Sequence, residues 1–296
     1  MSKQLRASVC ALLAAFFWGS TFVAQDLAAQ VIGPFTYTAS RSWMGAALLL
    51  TLSLILRKKN AIPAAERPRY RRDLLLGGLA CGAAMTIAAN LQQAGISNDT
   101  DAGKAGFITS LYVVLVPIFG LFCRRRTTVS VWISIGISLV GLYMLCVTDT
   151  MTIQFGDLLI LLCAAFFALQ ILLIDRLPHI HGIHLCCVQL TVVAAVSTVL
   201  ALAIERPTPA MILSAFGPIL YSAVFSSAIA YTLQIEAQKD SNPTVISLLM
   251  CLESVFAVLC DLVILGNAPT LREGIGCVLM FGAVILANIP FKKKEA

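Results

Sequence analysis

The sequence predicts an all-α integral membrane protein of about ten transmembrane helices arranged as two inverted five-helix repeats. Three observations predict it. Apolar residues make up 59% of the 296-residue chain and charged residues only 12%, with a mean hydropathy of +0.88, whereas a soluble globular domain carries about 25% charged residues. The chain divides into apolar runs of membrane-spanning length joined by short polar punctuation. Polar and glycine residues also recur in the same order in its two halves. So little charge does not cover a water-facing surface, and the bilayer is the matching solvent.

The candidate spans are about 6–25, 34–56, 73–95, 104–123, 129–148, 156–175, 184–204, 212–235, 243–265 and 271–290, each close to the roughly 20 residues a helix needs to cross the hydrocarbon. Lys3 and Arg6 precede the first run, as in a signal peptide. That run continues from Ala7 to about Ala24 with no small-residue cleavage site closing it, so it reads as a span. Gly33-Pro34 opens the second span. The stretch from Asn60 to Pro68 belongs to the only sizeable loop. Arg206-Pro207-Thr208-Pro209, Asn242-Pro243 and Asn267-Ala268-Pro269 punctuate the second half.

Orientation follows from the placement of Lys and Arg. With the N-terminus inside, cytoplasmic segments hold seventeen of the 21 basic residues, including the clusters Arg57-Lys58-Lys59, Arg69 to Arg72, Arg124-Arg125-Arg126 and Lys292-Lys293-Lys294. Arg41, Lys104, Arg206 and Arg272 lie in spans or outside, and the segment around Asp149, Gln154 and Asp157 has no basic residue. The expected location is the cytoplasmic membrane, with both termini cytoplasmic.

The repetition is read across the two halves, 1–149 and 150–296. Ala14-Ala15-Phe16-Phe17 in span one answers to Ala164-Ala165-Phe166-Phe167 in span six. Thr86, Asn90 and Gln93 in span three share their i, i+4, i+7 spacing and one constant offset with Ser227, Tyr231 and Gln234 in span eight. Leu115-Val116-Pro117-Ile118 is set against Leu252-Glu253-Ser254-Val255, and Gly136/Gly141 against Gly276/Gly282. A five-span repeat is odd, so the second copy enters the membrane from the opposite side. Inverted halves with a site at the midplane are a recurring design of secondary transporters.

Several other classes are set aside. The net charge of +6 sits in clusters beside spans, with no basic stripe interleaved with aromatics, so no nucleic-acid partner is expected. The ten cysteines are scattered through apolar runs without a metal-type spacing and read as small apolar fillers. His179, His181 and His184, the only histidines, read as a chance cluster on a solvated loop rather than a metal site. No Walker-type glycine loop is present, so ATP is not the energy source, and no cofactor is expected. An intramembrane lipid-modifying enzyme needs a nucleophile–base pair or metal ligands at membrane depth, and the chain has no histidine within a span's interior and no His-Glu-x-x-His run. A non-transporting accessory protein is the remaining alternative.

The segments Phe17-Trp18-Gly19-Ser20-Thr21-Phe22, Arg41, Gly106-Phe107-Ile108-Thr109-Ser110-Leu111-Tyr112 running to Val116-Pro117, and Leu252-Glu253-Ser254-Val255-Phe256 carry a resemblance over nearly the whole chain. The sequence resembles the EamA family of the drug/metabolite transporter superfamily. The resemblance implies a ten-span fold of two inverted five-helix repeats that moves metabolites or drugs by alternating access, often outward. It also implies substrate-cavity roles for Trp18, Thr21 and Ser110, although by physics alone Trp18 reads as packing. Ser254 stands where the family's second repeat usually has proline, and Gly266-Asn267 where it has Gly-Glu, so no role passes to that missing glutamate.

Polar groups within spans cost free energy, about 2.5–3.5 kcal/mol for a central charge on insertion scales, so each needs a reason. The two stripes either bond neighbouring helices or line a central cavity. Their matched spacing favours Asn90, Gln93, Tyr231 and Gln234 as cavity residues. Glu253, near the middle of span nine, either has a structural partner or serves as a proton site or contact for a cationic group. Asp261, eight residues on, is a satellite charge for coupling or lining. Arg41 either binds a substrate carboxylate or pairs with Asp26, and the pairing is favoured. Lys104 can snorkel to the interface. The expected substrate is a small polar metabolite such as an amino acid or related compound. The bilayer is the other partner, and the glycine pairs offer a packing face for a homodimer.

Overall fold

The computed structural model describes residues 2–56, 62–63, 65–98, 100, 102–122, 127–146, 154–265 and 269–288. The basic clusters at 57–59, 124–126 and 292–294 lie outside the described residues. Among those described there are helices and no strands. In chain order they are α1 (Lys3–Ala29), α2 (Pro34–Ile55), α3 (Arg67–Ile96), α4 (Ala102–Ser110), α5 (Tyr112–Phe122), α6 (Val129–Cys146), α7 (Phe155–Ile174) and α8 (Gly182–Leu200). A π-helical turn, Ala201–Glu205, extends α8. Then follow α9 (Pro209–Ser214), α10 (Phe216–Tyr221), a π-helical stretch Ser222–Ala230, α11 (Tyr231–Gln238), α12 (Pro243–Met250), α13 (Glu253–Leu265) and α14 (Leu271–Asn288).

The polar punctuation becomes helix caps. The Ser2 hydroxyl accepts from Leu5 N at 3.2 Å to open α1, and Asn242 Oδ1 accepts from Thr244 N at 2.9 Å ahead of Pro243, the geometry that satisfies otherwise orphaned N–H groups. Asp157 reaches back to the Gln154 N–H at 2.8 Å. The N-terminus of α2 has a distant cap. Glu205, at the end of the π turn, accepts from Phe35 N at 2.8 Å and Thr36 N at 2.7 Å, placing a carboxylate at the positive end of a helix dipole.

Among the described residues seven helical stretches are long and apolar enough to cross a membrane: Lys3–Ala29, Arg67–Ile96, Lys104–Phe122, Phe155–Ile174, Gly182–Glu205, Phe216–Gln238 and Pro243–Cys260. Helix α6 is apolar but shorter. Helices α2 and α14 are not among the seven; they carry the polar residues Thr36, Arg41 and Ser42 in one and Arg272 and Glu273 in the other. The sequence reading of ten is therefore met in seven by length and apolarity.

Two spans read as continuous are broken near their middles. Helix α4 stops at Ser110 and α5 starts at Tyr112; α12 stops at Met250 and α13 starts at Glu253. Tight bonds of the i→i−3 kind hold both junctions, Val114 N to Leu111 O at 3.0 Å and Leu252 N to Leu249 O at 3.2 Å. Tyr112 and Glu253 are 141 residues apart, the same offset as Asn90 to Tyr231. Leu115–Ile118 and Leu252–Val255, set against each other in the sequence, are 137 residues apart and so follow a different offset from the two breaks.

Helix α3 packs on α7 and α8, α2 on α8, α6 on α14, and α1 on α11 and α13. Small residues set the closest approaches. A Cβ on Gly141 would lie 2.9 Å from the Gly276 carbonyl, and one on Gly276 would lie 2.7 Å from the Gly141 carbonyl. One member of each glycine pair is therefore used within the chain, joining α6 to α14. Gly136 and Gly282 have open space around them. Large apolar side chains such as Leu54, Phe122 and Val263 cover the outside, as a lipid-facing surface requires.

Candidate functional site

A partly open cavity lies among these helices, with about 480 Å³ of empty space that includes its solvent-open part. One face of α1 supplies Trp18, Phe22 and Gln25 at i, i+4, i+7; α2 supplies Arg41, α3 Gln92, and α7 Phe167, Gln170 and Ile171. The two broken helices supply Thr109 with Tyr112 and Met250 with Glu253. These are corresponding positions, both pairs separated by 141 residues. Ser226, Tyr231 and Gln234 complete the wall from the π stretch and α11. An interrupted helix frees backbone and directs side chains inward at mid-depth, a recurring way of building a site within a membrane.

The motif around Trp18 has a steric cause. A Cβ on Gly19 would collide with the carbonyl oxygen of Glu253 and lie 2.9 Å from Ala257 N. Only glycine lets α1 meet α13 there, and that contact brings Trp18 and Glu253 to the same cavity. The Trp18 ring meets Tyr231 edge-on at 5.1 Å.

Glu253 is 4% exposed and accepts a 3.1 Å hydrogen bond from the Ser110 hydroxyl. No cation pairs with it among the described residues. Arg41 is 3% exposed, with its guanidinium 5.3 Å from the Tyr37 ring; the Tyr37 and Ser222 hydroxyls are 2.5 Å apart. The expected pairing of Arg41 with Asp26 is not formed. Lys104, expected to snorkel, instead pairs with Asp157 at 2.5 Å. The Asp261 side chain lies outside the described residues.

The cavity wall contains unsatisfied polar atoms. Trp18 Nε1, Arg41 Nε, Gln25 Oε1 and Gln234 Oε1 are buried without a hydrogen-bond partner. Buried polar groups are nearly always paired, so each exception calls for an explanation. Gln234 Nε2 donates to Gln170 Oε1 at 3.2 Å, and Gln170 Nε2 donates to Gln189 Oε1 at 2.9 Å. This amide chain links α11, α7 and α8.

The residues named from sequence divide accordingly. Trp18, Arg41, Tyr231, Gln234 and Glu253 come together around the cavity, with Ser110 directly behind Glu253. Thr21 is fully buried and its hydroxyl donates to Phe17 O at 2.5 Å. Asn90 and Ser197 exchange hydrogen bonds of 2.8 and 3.1 Å between α3 and α8. Gln93 Nε2 donates to Gln25 O at 3.2 Å. These three stand outside the lining. The matched spacing of the two stripes does not give matched facing: Tyr231 and Gln234 line the cavity, whereas Asn90 and Gln93, at the same step in α-helix, bond to neighbouring helices. The wider π turn changes the phase between residues before and after it, so Ser226 rather than Ser227 shares the wall with Tyr231. In α3 the cavity is met by Gln92, whose Nε2 donates to Thr109 Oγ1 at 3.1 Å.

Gln25, Gln92, Thr109, Tyr112 and Gln170 were missed by sequence reasoning. For Gln170 the available signal is a lone glutamine in an apolar span, which is costly to bury without a partner or a cavity. The histidines have other contacts: His179 Nε2 is 3.0 Å from Asp73 Oδ2, and Tyr70 OH lies 2.7 Å from His184 Nδ1 and accepts from His181 N at 3.2 Å. Among the described residues no group of three or more potential ligands converges on a metal-sized space.

Comparison with known proteins agrees with this architecture. A transporter of Archaeoglobus fulgidus described as uncharacterized is 26% identical over 297 residues, covering 97% of this chain and 87% of that protein. A crystal structure described only as that of a protein superposes with a TM-score of 0.77 at 17% identity, over 95% of this chain and 96% of the other, which is a likeness of fold. The model of the EamA-like transporter family matches twice, over residues 5–147 and 154–289. A multi-pass helical chain matched from end to end in this way belongs to the EamA-like transporter family.

Proposed function

We propose that the chain is a secondary transporter that carries a small polar metabolite, such as an amino acid or related compound, across the cytoplasmic membrane by alternating access, in the direction of export. The single observation that carries this reading is the polar cavity between two broken helices, with a wall drawn from both halves of the chain. A concave space with apolar and aromatic walls and a few convergent polar groups is the usual form of a small-molecule site.

Ten spans in two inverted repeats, 1–149 and 150–296, are part of the proposal. Its supports are the double match to one family model, the odd number of spans per half, and the shared 141-residue offset of α3 with α11 and of the two helix breaks. The substrate-facing residues are Trp18, Arg41, Tyr231, Gln234 and Glu253, with Ser110 positioning Glu253. Both termini are cytoplasmic on the Lys and Arg distribution. The test is flux by the purified full chain in sealed vesicles, screened with amino acids, amines and carboxylates. Protein-dependent movement of at least one of them is expected. Failure of all of them to move, with folded protein inserted in both orientations, would reject the reading.

A further inference from the structure

Three buried glutamines form a chain that begins at the cavity and ends outside it. Gln234 and Gln170 line the wall, whereas Gln189 on α8 does not. All three are at most 2% exposed. Gln234 Nε2 donates to Gln170 Oε1 at 3.2 Å, and Gln170 Nε2 donates to Gln189 Oε1 at 2.9 Å. A single polar pair is enough to join two membrane helices, and each further buried amide is costly unless it is fully bonded.

The chain is not fully bonded, and its ends show how. Gln234 Oε1 and Gln189 Nε2 are buried without partners, so an acceptor is left over at one end and a donor at the other. The carbonyl and NH2 groups of an amide have nearly the same shape but opposite hydrogen-bonding roles. Turning over all three amides keeps both bonds: Gln189 Nε2 then donates to Gln170 Oε1, and Gln170 Nε2 to Gln234 Oε1. The leftover atoms become Gln234 Nε2 and Gln189 Oε1. Turning over one amide alone sets oxygen against oxygen or NH2 against NH2, so the three turn together. Neither end is anchored by a neighbouring residue, and the fold therefore does not select a direction.

We infer that Gln234, Gln170 and Gln189 form a reversible amide relay, which offers the cavity an acceptor in one direction and a donor in the other. Gln189 is then a positioning residue for ligand choice, although it stands outside the wall. This rests on the transport reading and concerns its selectivity. At Gln234 the site takes neutral groups that only donate, such as an indole N–H, and neutral groups that only accept, such as a ketone.

The test uses the full chain in lipid nanodiscs with nitrogen-15 in its glutamine side chains, and three bicyclic probes of similar size. Indole only donates, 1-indanone only accepts, and indane does neither. NMR follows the Gln189 side-chain amide, assigned with Gln189→Asn, as each probe is added. Indole holds Gln234 Oε1 toward the cavity and leaves the Gln189 NH2 group free. The ketone turns the relay, and that NH2 group bonds to Gln170. The Gln189 amide protons should therefore move in opposite directions with the two probes and stay in place with indane. By calorimetry indole and 1-indanone should each bind about two- to tenfold more tightly than indane, the range for one neutral hydrogen bond.

Trp18 Nε1 and Gln25 Oε1 can also serve these probes, so the far end of the chain is decisive. Gln189→Lys, whose ammonium only donates, should shift preference toward 1-indanone by about threefold or more. Gln189→Glu, titrated at pH 7 and 9 to sample the carboxylate, only accepts when ionised and should shift it toward indole. Adding Gln170→Leu should erase either shift, whereas a direct field from position 189 would survive that cut. Gln189 protons that move alike with both probes, or with neither, would overturn the inference and make the three glutamines a fixed helix contact. Shifts that persist after the cut would overturn it as well, and the parent spectra decide the matter if no variant folds. Flux with an unresponsive relay sinks this inference alone; a responsive relay without flux sinks the transport reading alone.

Discussion

Ser110 donates a 3.1 Å hydrogen bond to Glu253 across a sequence separation of 143 residues, from the end of one broken helix to the start of the other. The bond joins the two interruptions and fixes the carboxyl group at the cavity wall. A carboxyl group at this depth is tolerated when a proton, a cationic substrate group or an internal partner neutralises it.

Glu253→Gln keeps the shape and can still accept from Ser110, so the variant should fold with wild-type thermal stability. Its transport should lose either its pH dependence or its preference for substrates bearing a cationic group. Vesicle assays at several pH values read this directly, and a variant matching the parent in rate, pH profile and preference would make Glu253 structural. Ser110→Ala should weaken transport about tenfold or more, as expected for loss of one charge-assisted bond.

Gly19 and Gly136 form a contrasting pair. A methyl group on Gly19 meets the backbone of α13, which cannot move aside as a side chain can, whereas Gly136 has nothing within 4 Å. Gly19→Ala should destabilise the chain by about 1–3 kcal/mol, the usual range for overpacking, and should reduce transport by separating Trp18 from Glu253. Gly136→Ala should be near neutral in both. Unfolding midpoints of the two variants in one detergent make the comparison, and equal values would remove the close-approach argument.

Asn90 and Gln234 should separate stability from transport. Asn90→Leu breaks the bonded pair with Ser197, and a double-mutant cycle over the two residues should give a coupling of about 0.6 kcal/mol, at most about 1.7, as for polar contacts between membrane helices. Flux in surviving Asn90→Leu protein should stay within about threefold of the parent, since no buried charge is disturbed. Gln234→Leu removes a cavity acceptor and one link of the amide chain, so flux should fall with little change in stability. The reverse pattern would return Asn90 to the cavity.

The Lys104–Asp157 pair joins the start of α4 to the start of α7. Lys104→Met should destabilise by leaving Asp157 without its cation, and the charge-swapped pair Lys104→Asp with Asp157→Lys should recover part of the loss. Thermal unfolding of the parent and these two variants measures it; no recovery would mean that geometry, rather than charge, sets the contact.

A cysteine at Lys3, in a background without reactive thiols, should resist an impermeant reagent applied to intact cells, while one at Gln154 should label. External labelling at Lys3 would invert the orientation drawn from the basic clusters.

Sequence alone determined that the chain is helical and membrane-bound and where most helices begin, because those properties depend on local composition and on caps within a few residues. Asn242-Pro243 and Gly33-Pro34 open α12 and α2 where they were read, and Glu253 stood out because a carboxylate in an apolar run is costly wherever the chain goes. Which polar residues share a space was a different kind of fact. Tyr231 and Asn90 occupy matching positions, yet one lines the cavity and the other bonds Ser197. That outcome depends on how α3 and α11 pack against their neighbours, which is not visible in spacing. Arg41 beside Asp26 on a simple picture of adjacent spans is a plausible pair, but tertiary packing leaves it facing the cavity that also holds Glu253. Burial and partnership are set by contacts between distant segments, and only the folded chain brings those segments together.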